Sequence, residues 1–206
     1  MTVEGIEASG KSTLLGGLAV RLRETGVNAV VTREPGGTVF GNRLRTLFVD
    51  PATGPIDPVT EAFLLNTSRA QLVREVIEPA LACGQWVLCD RYVHATLAYQ
   101  GYGRGLDREA LRRLAAFATG GLMPDLTLLV DIPVSLSRKR IVARASASGI
   151  AADRLEREET AFHERVRSGY LELAREDERI TVLDGTLSES ALLEAAWQLL
   201  APQVRA

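Results

Sequence analysis

Histidine and cysteine are scarce, with two of each among 206 residues. Cys83 and Cys89 are spaced too widely for a C-x-x-C pair and have no histidine cluster beside them. A reduced, packed pair is therefore expected, not a disulfide framework or a zinc site. Net charge is also nearly absent, at −2, and no basic stripe runs along the chain. That removes any general electrostatic reason to bind nucleic acid or an anionic membrane. No apolar run approaches the ~20 residues of a bilayer span, and no signal peptide stands ahead of the first motif, so the cytoplasm is the expected compartment. Repeats and low-complexity tracts are missing as well. What remains is 46% hydrophobic over 206 residues, enough for one domain with a real core.

The densest signal lies near the start, in Gly5-Ile6-Glu7-Ala8-Ser9-Gly10-Lys11-Ser12-Thr13. It fits G-x-x-x-x-G-K-[ST], the phosphate-binding loop. Its glycines let main-chain N–H groups cradle phosphate oxygens. Lys11 is placed to reach the β- and γ-phosphates, and the Ser12 hydroxyl to hold Mg²⁺. Thr13 to Leu22 reads as a helix whose positive end meets the same phosphates. Only Met1 to Glu4 precede Gly5, so either the first strand is short or the true start lies upstream.

Further on, Val27–Thr32, Trp86–Cys89, Leu126–Ile132 and Ile180–Leu183 read as strands. Helices are expected from Thr38 to Phe48, Thr60 to Ala82 (with Pro79 kinking it or ending it early), Val93 to Gln100, Asp107 to Ala118, Val134 to Ala145, Asp153 to Arg175 and Ser188 to Leu200. Residues 101–105 and 146–152 read as flexible. Five strands alternating with helices predict an α/β fold of P-loop NTPase type, a five-stranded parallel sheet with helices on both faces. A small mobile lid is expected at about residues 143–153.

A phosphate loop alone does not separate kinases from GTPases or motors. The guanine-reading N-K-x-D is absent. Asp90-Arg91 stands at the end of the third strand, beside the loop in such a sheet. Asp90 is suited to orient Mg²⁺ through water and Arg91 to grip a second phosphate. Arg45 and Arg69 lie on helices leaving the same edge. One phosphate loop and three arginines imply two phosphorylated ligands facing each other.

The chain resembles thymidylate kinases along nearly its whole length. The likeness rests on residues 4–13, Thr32 to Thr38, Asp90-Arg91-Tyr92 with Ala98-Tyr99-Gln100-Gly101, Pro124 to Thr127, Asp153 to Glu156, and Phe162-His163 with Tyr170-Leu171. It implies transfer of the γ-phosphoryl group of ATP to dTMP with Mg²⁺ and a homodimer packed through helices, for which Thr60–Ala82 is apolar enough. Residues 5–13 would bind ATP. Glu7 would meet the sugar and metal region of the acceptor. Arg33, Arg69 and Arg91 would surround the acceptor phosphate and base, Thr96, Tyr99 and Gln100 would line its pocket, and Tyr170 would stand at the sugar edge.

Some members carry a catalytic arginine inside the phosphate loop; here Glu7, Ala8 and Ser9 occupy those positions. Arg144 of the lid is the expected replacement, with Arg140 and Arg154 as alternates. Four departures cluster on the acceptor side. Leu65 stands where a phenylalanine usually stacks on thymine, Ala95 replaces a serine, Asn42 a glutamate and Ala8 a glycine. dTMP is the expected acceptor, with a modified pyrimidine deoxynucleotide or a non-catalytic nucleotide-binding role as alternatives.

Overall fold

A computed structural model describes residues 1–149 and 151–204, with the side chain of Ser148 excepted. Ile150, inside the predicted lid, lies outside the described residues. Five parallel strands form one sheet: β1 (Thr2–Glu4), β2 (Ala29–Arg33), β3 (Trp86–Asp90), β4 (Thr127–Asp131) and β5 (Ile180–Asp184). Their spatial order is β2-β3-β1-β4-β5. β1 is short, three residues, all buried, and central, pairing with β3 and β4.

The sheet is covered on both faces because its strands are apolar on both sides. Alternation along β4 shows this. Leu128 and Val130 join one core with α1 (Lys11–Glu24) and α9 (Glu189–Val204), whereas Leu129 joins the other. That second core holds α3 (Pro58–Leu72), α6 (Arg108–Thr119) and α8 (Thr160–Glu176). Between them in sequence come α2 (Val39–Val49), α4 (Glu78–Ala82), α5 (Val93–Thr96) and α7 (Val134–Ser148). β1 and β3 are hydrogen-bonded neighbours, so the loops leaving their carboxyl ends open side by side.

Three expectations need correction. The helix expected from Thr60 to Ala82 does not stop early at Pro79. It widens into a π turn at Val73–Ile77, and Pro79 falls at the second residue of α4, where the disturbed ladder tolerates a missing N–H. Residues 101–103 belong to a second π turn, Leu97–Gly103, in which Gly101 and Gly103 are buried. Asp153 to Arg175 is not one helix, since α8 begins at Thr160. Ahead of it, Asp153 Oδ1 accepts from Glu156 N, and Arg154 N donates to Val49 O. Such local and tertiary partners compete with the helical ladder. α8 packs on the second π turn through Gly169, where a Cβ would come within 2.4 Å of Tyr102.

Gly5, at the end of β1, has φ +139°, and a Cβ there would lie 2.4 Å from the Val130 carbonyl oxygen. Gly5→Ala is expected to destabilise the fold by at least about 2 kcal/mol. Urea unfolding of the two proteins measures this.

Candidate active site

The loop after β1 closes around Lys11, whose Nζ donates to Ile6 O at 2.7 Å and to Ser9 Oγ at 3.4 Å. Burial, reinforced by nearby Arg91, pushes the Lys11 ammonium down to about 8. Gly10, at φ +104°, precedes α1, whose first turn carries neither a capping side chain nor an acidic residue. Its free N–H groups therefore face outward for an anion. Ala8 is also left-handed, with φ 54°. Where the resemblance implies glycine, alanine adopts the conformation at a cost of roughly 1–2 kcal/mol. Ser12 Oγ donates to Asp90 Oδ2 at 2.8 Å, joining the first turn of α1 to the end of β3.

Arg91, one residue past β3, is the other non-glycine in the left-handed region among the described residues, with φ 71°. Its amide donates to Val3 O, which anchors the turn. Its guanidinium lies 4.7 Å over the Tyr99 ring and donates to Glu7 Oε1 at 3.0 Å. The Tyr99 hydroxyl donates to the same oxygen. Burial alone would raise the Glu7 pKa, but Arg91 and its other partners hold it far below the usual carboxylate range. Ser137 of α7 fixes the main chain here, donating to Glu7 O at 2.7 Å. Glu4, at the end of β1, accepts from Tyr92 N and from the Tyr170 hydroxyl, and burial pushes it up to about 7.

Opposite the loop, Arg69 of α3 is only 1% exposed. It donates to Glu34 Oε2, Asn66 Oδ1, Tyr92 O and Thr96 Oγ1, all within 3.0 Å. Burial pushes Glu34 up to about 7 against the pull of Arg69. Arg45 of α2 donates to Pro35 O and is lowered by burial and then by Arg33 and Arg91, so cations converge here.

These groups enclose a cleft of about 610 Å³. Of the predicted residues, Glu7, Lys11, Ser12, Arg33, Arg45, Leu65, Arg69, Asp90, Arg91, Thr96, Tyr99, Gln100 and Arg144 line it, together with Ala8. Gly5, Ile6, Ser9, Gly10 and Thr13 shape the loop without lining the cleft. Tyr170, expected at the sugar edge, sits behind Tyr99, their ring centres 6.2 Å apart, with its hydroxyl on Glu4. Arg69 forms wall but spends its donors on protein acceptors.

The lid arginines separate clearly. Arg140 donates to Ala8 O, Ser9 O and Gly185 O behind the loop. Arg154 is tied to Phe48 O and Glu61. Arg144 lines the cleft, held by Glu156 through bonds of 2.6 and 2.7 Å. The sequence reading missed Glu61, fully buried and accepting from Gln100, Arg104 and Arg154. It also missed Asn66 and Ser137. A buried carboxylate on an otherwise ordinary helix leaves no motif, although Asn66 stands three residues before Arg69 on the same face.

Oxygen donors side by side at Ser12 and Asp90 fit Mg²⁺, which takes one or two protein oxygens and fills its shell with phosphates and water. Among the described residues no group of three or more His, Cys, Asp or Glu could hold a metal by itself. Glu7, expected near the metal, is instead turned to Arg91 and Tyr99.

The family model for thymidylate kinase matches residues 3–196. Curated relatives bearing that name include one from Desulfovibrio desulfuricans, 52% identical over 189 residues (90% of this chain, 87% of the relative). Others come from Deinococcus radiodurans, 48% identical over 198 residues (96% and 93%), and Geobacter sulfurreducens, 45% identical over 206 residues (99% and 97%).

Glu4 and Glu34 both sit near 7 in the fold, against about 4.5 when unfolded. Between those values the folded chain holds protons that the unfolded chain releases, so stability falls as pH rises from about 4.5 to 7. Urea midpoints at pH 5 and pH 7.5 should show the loss, and Glu4→Gln should reduce it, with Glu34 supplying the remainder. Separately, Ala8→Gly should stabilise the chain by about 1 kcal/mol, read as a higher urea midpoint.

Proposed function

The chain belongs to the thymidylate kinase family, and on that premise we propose that it is an ATP-dependent kinase converting dTMP to dTDP. One observation carries the placement of the two ligands. The uncapped start of α1 with Lys11 faces the Arg91, Arg33 and Arg45 guanidinium groups across one cleft. Main-chain amides and Lys11 hold the phosphates of ATP, while the arginines hold the acceptor phosphate.

Phosphoryl transfer asks little covalent help of the protein; it needs two phosphates in line and the developing charge neutralised. Lys11 stands on the donor side. Arg91, stacked on Tyr99 and tethered by Glu7, stands between the two anion sites. Ser12 and Asp90 would hold Mg²⁺, which would supply neutralisation of phosphate charge when bound. Arg144 is the catalytic arginine of the lid, since it lines the cleft while Arg140 and Arg154 do not.

On the acceptor side, Leu65, Ala95, Thr96, Tyr99 and Gln100 enclose the base and sugar. The cleft reaches Leu65 and Ala95, both smaller than the residues the family resemblance implies. This supports a second reading, in which a pyrimidine bulkier at the ring is also accepted. The chain acts as a homodimer through α3, which exposes Val59 and Phe63 one turn apart, at 49% and 56%.

ADP release over dTMP, dUMP, 5-substituted dUMPs and dCMP tests the acceptor. dTMP is expected to give the highest kcat/KM, and a better 5-substituted nucleotide would establish the second reading. Arg144→Ala should lower kcat at least tenfold with little change in the KM for dTMP, because the arginine acts on transition-state charge; an unchanged kcat excludes it. Phe63→Glu should yield monomer by sedimentation if α3 forms the interface.

A further inference from the structure

Glu7 uses its two oxygens unequally. Oε1 accepts from Arg91 and Tyr99, while Oε2 is buried with no hydrogen-bond partner. His163, in the first turn of α8, is 3% exposed, and neither ring nitrogen has a partner. The two orphans face each other, with His163 Nδ1 3.5 Å from Glu7 Oε2. The imidazole is held edge-on by Phe162, at 5.4 Å and 81° between the rings, and Phe162 packs in turn on Tyr99. Leaving a buried polar atom unpaired costs about 1–3 kcal/mol, more for a charged group. A shift of roughly half an ångström brings the pair to ordinary hydrogen-bonding distance.

We propose that His163 is a positioning residue for the transfer reaction, its Nδ1–H held toward Glu7 Oε2 so that the carboxylate keeps Oε1 aimed at Arg91 and Tyr99. The proton belongs on Nδ1 because Oε2, on an ionised carboxylate, can only accept. A buried carboxylate lacking that donor would turn to share both oxygens with Arg91 and draw the guanidinium back from the mouth beside Lys11. His163 does not itself line the cleft; it acts through Glu7, which does. Its catalytic consequence rests on the dTMP kinase reading above, while the proton position does not.

Two measurements test it. His163→Phe keeps an aromatic ring of similar shape without the donor, and His163→Asn places an amide N–H near the Nδ1 position. His163→Phe should lower kcat/KM for dTMP at least tenfold while the KM for ATP stays within twofold, and His163→Asn should recover activity to within about threefold of the unaltered enzyme. Both variants should unfold near the unaltered melting temperature. Equal impairment in the two, or none in His163→Phe, overturns the proposal. Long-range ¹H–¹⁵N correlation of the imidazoles is independent of the acceptor. The chain has two histidines, so a His94→Phe spectrum assigns His163. A proton on Nδ1 supports the inference, and a neutral ring protonated only at Nε2 overturns it whatever nucleotide the enzyme phosphorylates.

Discussion

The site turns on the ion pair between Glu7 and Arg91. A carboxylate that is only 8% exposed must be matched by cations and donors or it cannot stay charged. Arg91 supplies the cation from across the sheet, and only because its own main chain takes an unfavourable left-handed turn at the end of β3. That strain is held by the amide bond to Val3 and by the pairing of β1 with β3. Backbone conformation, sheet order and the charge at the cleft mouth are therefore one arrangement.

The two walls of the cleft do different electrostatic work. On the loop side, main-chain N–H groups and Lys11 are positive groups with few competing partners beyond the loop itself. Across the cleft, four of the five N–H donors of Arg69 are taken by Glu34, Asn66, Tyr92 and Thr96. It contributes shape and donates to Thr96, while Arg33, Arg45 and Arg91 line the same cleft. The buried pair of Arg69 and Glu34 gives specificity of geometry more than net stability.

The loop, the parallel sheet and the nearness of Asp90-Arg91 to the loop were legible in the sequence because each follows from local chemistry: glycines at a turn, apolar strands, a charged pair at the end of a neighbouring strand. Two kinds of feature were not. Tertiary partners overrode local pattern at residues 153–157, where bonds to α2 displaced helical ones, and at the two π turns, which share their periodicity with ordinary helix over so few residues. Direction was also invisible. Tyr170 and Arg69 were placed in the right neighbourhood, but nothing in their spacing said that one faces Glu4 and the other is consumed inside the wall.

The bonding of Arg69 bears on how any ligand of this cleft would be received. Long cationic side chains are costly to immobilise, and a ligand that must order them surrenders part of its affinity. Here most of that ordering is already in place, since four protein acceptors hold the guanidinium. A lysine, with one nitrogen, has no planar fork to reach them all. This stretch of the cleft wall is thus a preformed mould, fixed by protein contacts without a ligand to order it.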